Sequence, residues 1–151
     1  LYNAYGNKQE LYTRCLETFG ERYGQQLVKQ LDNPDFRAGI EGFFTLLVER
    51  LESKSLPKGC LATMAAMEIG GGTSLAAKRV KTNLETVRTA FADRCAQAVA
   101  DGQVPADTDC EAFAAMLLAM TRGIAVLNRG HPDPEVVRAA KRGILATLDR
   151  A

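Results

Sequence analysis

One stretch constrains this chain more than any other. From Glu111 to Leu127 the sequence is nearly all apolar, with Glu111 and Arg122 as its only charges and Thr121, Arg122 and Gly123 as the main interruptions. A run of this length makes about 25 Å of helix. A helix apolar around most of its girth is covered from more than one side. The chain itself covers one side, and the other calls for a second body. A more two-faced helix follows from Pro134 to Asp149. Small residues on both helices, among them Ala114, Ala119, Gly123 and Gly143, permit close approach. The pair is the expected surface between two copies of the chain, with Ala115, Leu118, Ala119, Arg122, Val126, Val137, Lys141, Ile144 and Leu148 as contacts.

The rest of the sequence carries apolar residues at helical spacing, and no strand alternation appears. The reading is all-α with six main helices. The first, Lys8 to about Leu31, has Tyr12, Leu16, Phe19, Tyr23, Leu27 and Leu31 on one stripe. Asn7 and Glu10 are placed to form a capping box at its start, and Gly20 and Gly24 weaken its middle enough to allow a bend. Asp32-Asn33-Pro34 stops it. A phenylalanine-rich helix runs from Asp35 to about Glu52, and a short one from Cys60 to Ile69 ends at Gly70-Gly71-Gly72. The longest starts at Thr73 or Ser74 and reaches about Ala100. Val80, Leu84, Val87, Phe91 and Cys95 form its dry side, while Lys78, Arg79, Lys81, Arg88 and Arg94 fall mostly on the wet one. Asp107 to Asp109 offers caps for the apolar helix; Asp133 caps the last, with Pro134 at its first position.

A chain of 151 residues, 46% hydrophobic and 25% charged, suffices for one domain with a real core. A net charge of +1 gives no chain-wide basis for wrapping nucleic acid. Cys15, Cys60, Cys95 and Cys110 contain no C-x-x-C pair, and His131 lies far from them in sequence, so zinc has little support. The cysteines are expected reduced and structural, with Cys15 and Cys95 acting as small hydrophobes on apolar faces. No signal peptide and no uninterrupted apolar run of bilayer length are visible, so the expected location is cytoplasmic, without a membrane partner. That the chain opens on Leu1 rather than on a methionine suggests a fragment.

Catalysis finds little footing. Asp107 and Asp109 lie in a connecting turn, His131 lies in a polar turn, and the three glycines are not followed by the Gly-Lys-Ser/Thr of a phosphate loop. No catalytic residue, metal or cofactor is expected. A cavity is the better prospect, formed by Phe43, Leu47, Met64, Met67, Glu68, Val87, Phe91 and Arg122. Methionine yields to a ligand more readily than branched residues do. The same phenylalanines and methionines serve equally well as plain core. Glu68 either faces inward, where it needs a partner such as Arg122 or the ligand, or reaches solvent at its helix end.

The opening Leu1-Tyr2-Asn3-Ala4-Tyr5-Gly6-Asn7-Lys8-Gln9-Glu10-Leu11 resembles the L-Y-x-x-F/Y-x-x-K-x-x-L signature of the TetR/AcrR family of transcriptional regulators. In that family the signature joins the recognition helix to the linking helix. Gly59-Cys60-Leu61 and the Gln103-Val104-Pro105-Ala106-Asp107 turn are similar to the family's ligand-binding half. The resemblance implies a homodimer paired through a four-helix bundle, a pocket for a small apolar or aromatic effector, and operator DNA as the partner of an N-terminal helix-turn-helix. By it, residues 1–7 are the remnant of the head, 8–31 the linking helix and 32–151 the ligand-binding and dimerisation domain. Tyr2 and Asn3 would belong to the recognition helix, and Lys8 would touch a phosphate; a lysine beside free helix N–H groups suits that role, and equally stands as a solvated lysine. Most of the head precedes Leu1, so this chain alone is not expected to read an operator. The implied activity is ligand-controlled repression. The competing reading is a small-molecule-binding or thiol-sensing homodimer without DNA binding, in which Cys60 or Cys110 reacts.

Overall fold

The computed structural model describes residues 7–56, 58–131 and 133–148. Helix α1, Lys8–Phe19, starts with the expected capping box: Asn7 Oδ1 accepts from the Gln9 and Glu10 N–H groups at 3.0 Å, and the Glu10 carboxylate accepts from the Asn7 N–H at 3.3 Å. The chain then widens into a π-helical segment, Gly20–Gly24, before α2, Gln25–Val28, and a 3-10 turn, Lys29–Asp32. The bend expected at the two glycines is thus a change of winding within one continuous rod, since both flanks keep right-handed helical dihedrals. Gly20 packs closely against Asn83 there. A Cβ would stand 3.1 Å from Asn83 Oδ1.

Helix α3, Phe36–Glu52, is capped by Asp35, and α4, Leu61–Ile69, ends at Gly70 ahead of Gly71, whose φ is +78°. Ser74 caps α5, Leu75–Ala100, by accepting from the Ala77 N–H. Asp109 caps α6, Cys110–Gly130, and Asp133 accepts from the Glu135 N–H at the start of α7, Pro134–Leu148. Counting the linking rod as one, these are the six main helices the periodicity called for.

The most extensive pairing is α5 on α6. The larger core joins α3, α5, α6 and α7 around Phe43, Phe44, Phe91, Leu117 and Ile124. Phe43 and Phe91 meet at 4.7 Å between ring centroids, and Phe43 and Phe44 at 5.4 Å with an edge-on tilt. A smaller core of Leu16, Ala65, Ala76 and Val80 ties α1 to α4 and α5. Arg94, expected on the wet side of α5, is buried; its guanidinium donates to the Pro34 carbonyl at 2.9 Å and lies over the Phe36 ring. Gln103 supports the same corner, accepting from the Phe36 N–H and donating to the Pro34 carbonyl.

Two expectations change. Cys95 and Cys110 form a disulfide, with Cα atoms 5.5 Å apart, because the end of α5 and the start of α6 lie side by side. Cys15 is exposed rather than set in an apolar face. Helix α6 is by length and composition apolar enough to cross a membrane. In the fold its inner face, Ala114, Leu117, Thr121, Ile124, Ala125 and Asn128, is buried among the other helices.

The disulfide closes a loop of 15 residues, a length for which cross-linking is worth about 3 kcal/mol. Cys95→Ser/Cys110→Ser should lose about that much in guanidinium melts. Denatured, unreduced protein should titrate only the thiols of Cys15 and Cys60.

Candidate functional site

Between the linking rod and the rest of the bundle lies a cavity of about 900 Å³. The rod itself forms one wall, through Phe19, Gly20, Tyr23, Gly24, Leu27 and Val28. Leu47, Arg50 and Leu51 come from α3, Gly59 and Cys60 from the loop before α4, Ala62 and Met64 from α4, Asn83 and Val87 from α5, and Thr121, Arg122 and Ala125 from α6. Such a volume suits a drug-sized molecule, and a mostly apolar lining with a few polar groups is the usual make-up of a small-molecule site.

The polar groups fall into those already engaged and those left over. Arg50 ties α3 to the π segment: Nη1 donates to the Tyr23 carbonyl at 2.6 Å, Nη2 donates to Gln26 Oε1, and the guanidinium sits 5.3 Å from the Tyr23 ring centroid. Burial draws the Arg50 pKa below its ordinary value, against an opposing influence from Tyr23. Arg79 pairs with Glu17 at 2.6 Å, linking α5 to α1. Asn128 pins the loop at the other side, accepting from the Gly59 N–H and donating to the Leu51 carbonyl, each at 3.1 Å. Gly59 has φ +92°, a conformation that suits glycine, and this turn presents Cys60 to the cavity.

What is left over is concentrated at Arg122 and Asn83. Arg122 Nη1 lies 3.6 Å from Cys60 Sγ and 3.4 Å from Thr63 Oγ1. Its Nε is buried without a hydrogen-bond partner, and so is Asn83 Nδ2. The Cys60 thiol is free and half-buried.

Of the residues expected to line a pocket, Leu47, Met64, Val87 and Arg122 do so. Phe43 and Phe91 do not; they are fully buried against each other in the larger core. Met67 is 79% exposed and Glu68 faces solvent, because the short α4 turns that side outward. Glu68 acts at a distance instead: burial first, and the Glu68 charge second, push the Tyr12 phenol above its ordinary pKa. Lys8 is exposed in the first turn of α1; Tyr2 and Asn3 lie outside the described residues.

On the expected dimer face, Ala115, Ala119 and Val126 are exposed, and Leu118, Lys141 and Leu148 are half-buried. Val137 and Ile144 belong to the protomer's own core, so those two contacts are corrected, and Arg122 points to the cavity. Sequence reasoning missed Arg50, Asn83 and Cys60 as lining residues. The glycine pair at Gly20 and Gly24 was the only signal that this part of the rod is special.

A cavity walled by an N-terminal helical rod, beside two C-terminal helices with exposed apolar residues, is an arrangement that can hold a small molecule. The family model described as "Tetracyclin repressor-like, C-terminal domain" matches residues 38–144. The chain belongs to that family, and so to the TetR/AcrR regulators. No curated protein matches the chain. It is similar to the TetR family transcriptional regulator CifR, in a cysteine mutant complexed with 26-bp double-strand operator DNA, at 28% identity and TM-score 0.84 over 97% of this chain and 77% of that one. A putative TetR regulator from Rhodococcus sp. RHA1 is 26% identical at TM-score 0.72, over 98% of this chain and 79% of that one. A TetR regulator from Chloroflexus aurantiacus J-10-FL, 17% identical over 99% of this chain and 76% of that one, shares the fold at TM-score 0.87.

Asn128→Ala strands the Gly59 N–H and the Leu51 carbonyl, and should cost about 2 kcal/mol in denaturant melts. With the loop released, Cys60 in that variant should also react faster with a maleimide than in the native protein.

Proposed function

We propose that the chain is the effector-binding and dimerising part of a cytoplasmic, ligand-responsive repressor, with residues 1–7 closing a helix-turn-helix head, 8–31 linking it and 32–151 regulating it. The observation that carries this is the position of the cavity. Its wall is the linking rod itself, at the π segment where the winding departs from α. A small apolar or aromatic occupant lies against Leu27, Val28, Leu47, Leu51 and Val87, and its presence favours one setting of that segment over another. Coupling of this kind works only through unequal affinity for the two settings. The operator complex described for CifR supports duplex DNA as the partner of the head. The exposed Ala115, Ala119 and Val126 support a second copy as the partner of α6 and α7.

A second reading rests on Cys60. Its thiol is free, lines the cavity and lies against the Arg122 guanidinium, so the same chamber supports a thiol-sensing role. Cys110, the other candidate, is engaged in the disulfide.

An intact chain bearing a complete head should select a two-fold-symmetric duplex from a random DNA pool, and effector from the producing cells should weaken that binding. Failure to enrich any symmetric site, or an operator affinity unmoved at saturating effector, would contradict the proposal. If treatment with an alkylating electrophile releases the DNA and Cys60→Ser does not respond, the thiol reading holds instead.

A further inference from the structure

Resting on the cavity as the effector site, we infer that the effector is an anion: an apolar body bearing a carboxylate, which Arg122 and Asn83 receive. The argument follows the donors. Basic side chains outnumber acidic ones around the cavity; Lys29 and Lys58 are exposed, and three of the four arginines are spoken for. Arg50 gives its donors to Tyr23 and Gln26, Arg79 is paired with Glu17, and Arg129 donates to the Lys58 carbonyl. Arg122 is different. Among the described residues no carboxylate comes within ion-pairing distance of it, and its near neighbours are a thiol and a hydroxyl at long range.

A half-buried guanidinium with a buried, unused Nε, and no carboxylate paired with it among the described residues, carries a desolvation cost. Asn83 Nδ2, on the neighbouring helix of the same lining, is a second buried donor without an acceptor. A neutral alcohol offers one acceptor and no charge. A carboxylate offers two acceptor oxygens and the missing negative charge, and the planar guanidinium suits it. The remaining surface, Leu47, Leu51, Val87 and Ala125, takes a hydrocarbon body.

Asn83 gives the anion a route to the linking rod. Its Oδ1 sits against Gly20 at the start of the π segment. An acceptor drawn to Nδ2 fixes this amide, and with it the packing of Gly20.

The test compares matched probes by isothermal titration calorimetry on the native protein: 4-phenylbutyrate against 4-phenyl-1-butanol, and octanoate against octanol. Each carboxylate should bind about tenfold or more tightly than its alcohol, the scale of a hydrogen bond to a charged group. Arg122→Met should erase that preference, and Arg122→Lys should restore part of it. Asn83→Ala should weaken the carboxylates more than the alcohols. Alcohols binding as tightly as carboxylates, or a carboxylate preference that survives in Arg122→Met, would overturn the anion assignment and leave the apolar chamber standing. If neither class binds, both the assignment and the chamber's role as effector site fall. The native-protein comparison decides between these even if Arg122→Met does not fold.

Discussion

The constraint behind this structure is that α6 has more apolar surface than one protomer covers. Its inner face is buried, and even the polar residues there are satisfied: Thr121 Oγ1 donates to the Leu117 carbonyl at 2.8 Å, and Asn128 bonds both Gly59 and Leu51. Its outer face keeps Val126 at 48% exposed. Each apolar side chain left in water forgoes roughly 1.5–3 kcal/mol of transfer free energy, so the outer face favours a second copy of the same surface. The same helix then supplies Thr121, Arg122 and Ala125 to the cavity. Arg122 lies between Ala119 and Val126 at helical spacing, so the cavity lining and the exposed apolar stripe adjoin on one rigid rod.

The opposite wall is of another character. The linking rod passes from α to π to α to 3-10 winding within the span Lys8–Asp32, and no residue of the π segment is buried. Arg50 holds the rod to α3 through the Tyr23 carbonyl and ring in that segment and the Gln26 amide in α2, and Glu17–Arg79 adds a partly exposed ion pair on the α1 side. Exposed pairs of this kind contribute little. The cavity thus lies between the bundle and the stretch of the rod that buries no residue, while Leu16 and Leu31 anchor the rod on either side.

Much of this was legible from residue spacing. The caps at Asn7, Ser74, Asp109 and Asp133 lie where the sequence puts them, because side-chain capping is a local interaction. The aromatic stripe of α3 and the stop at Gly70 follow from equally local rules. The sequence could not assign Phe43 and Phe91 between chamber and core, since an inward face does not say what it meets. The fate of Arg94 depended on the Pro34 carbonyl, which is distant in sequence. The Cys95–Cys110 pair depends on the relative register of two helices across a turn, a quantity no spacing pattern carries. Arg50 and Asn83 escaped notice for the same reason: each matters through a partner on the linking rod.

Sedimentation equilibrium at micromolar concentration tests the division of α6 most directly. The account predicts a particle of twice the 16.4 kDa chain mass, and predicts that Val126→Glu dissociates it into folded monomers that still contain the cavity. A native chain that sediments as a monodisperse monomer would contradict it.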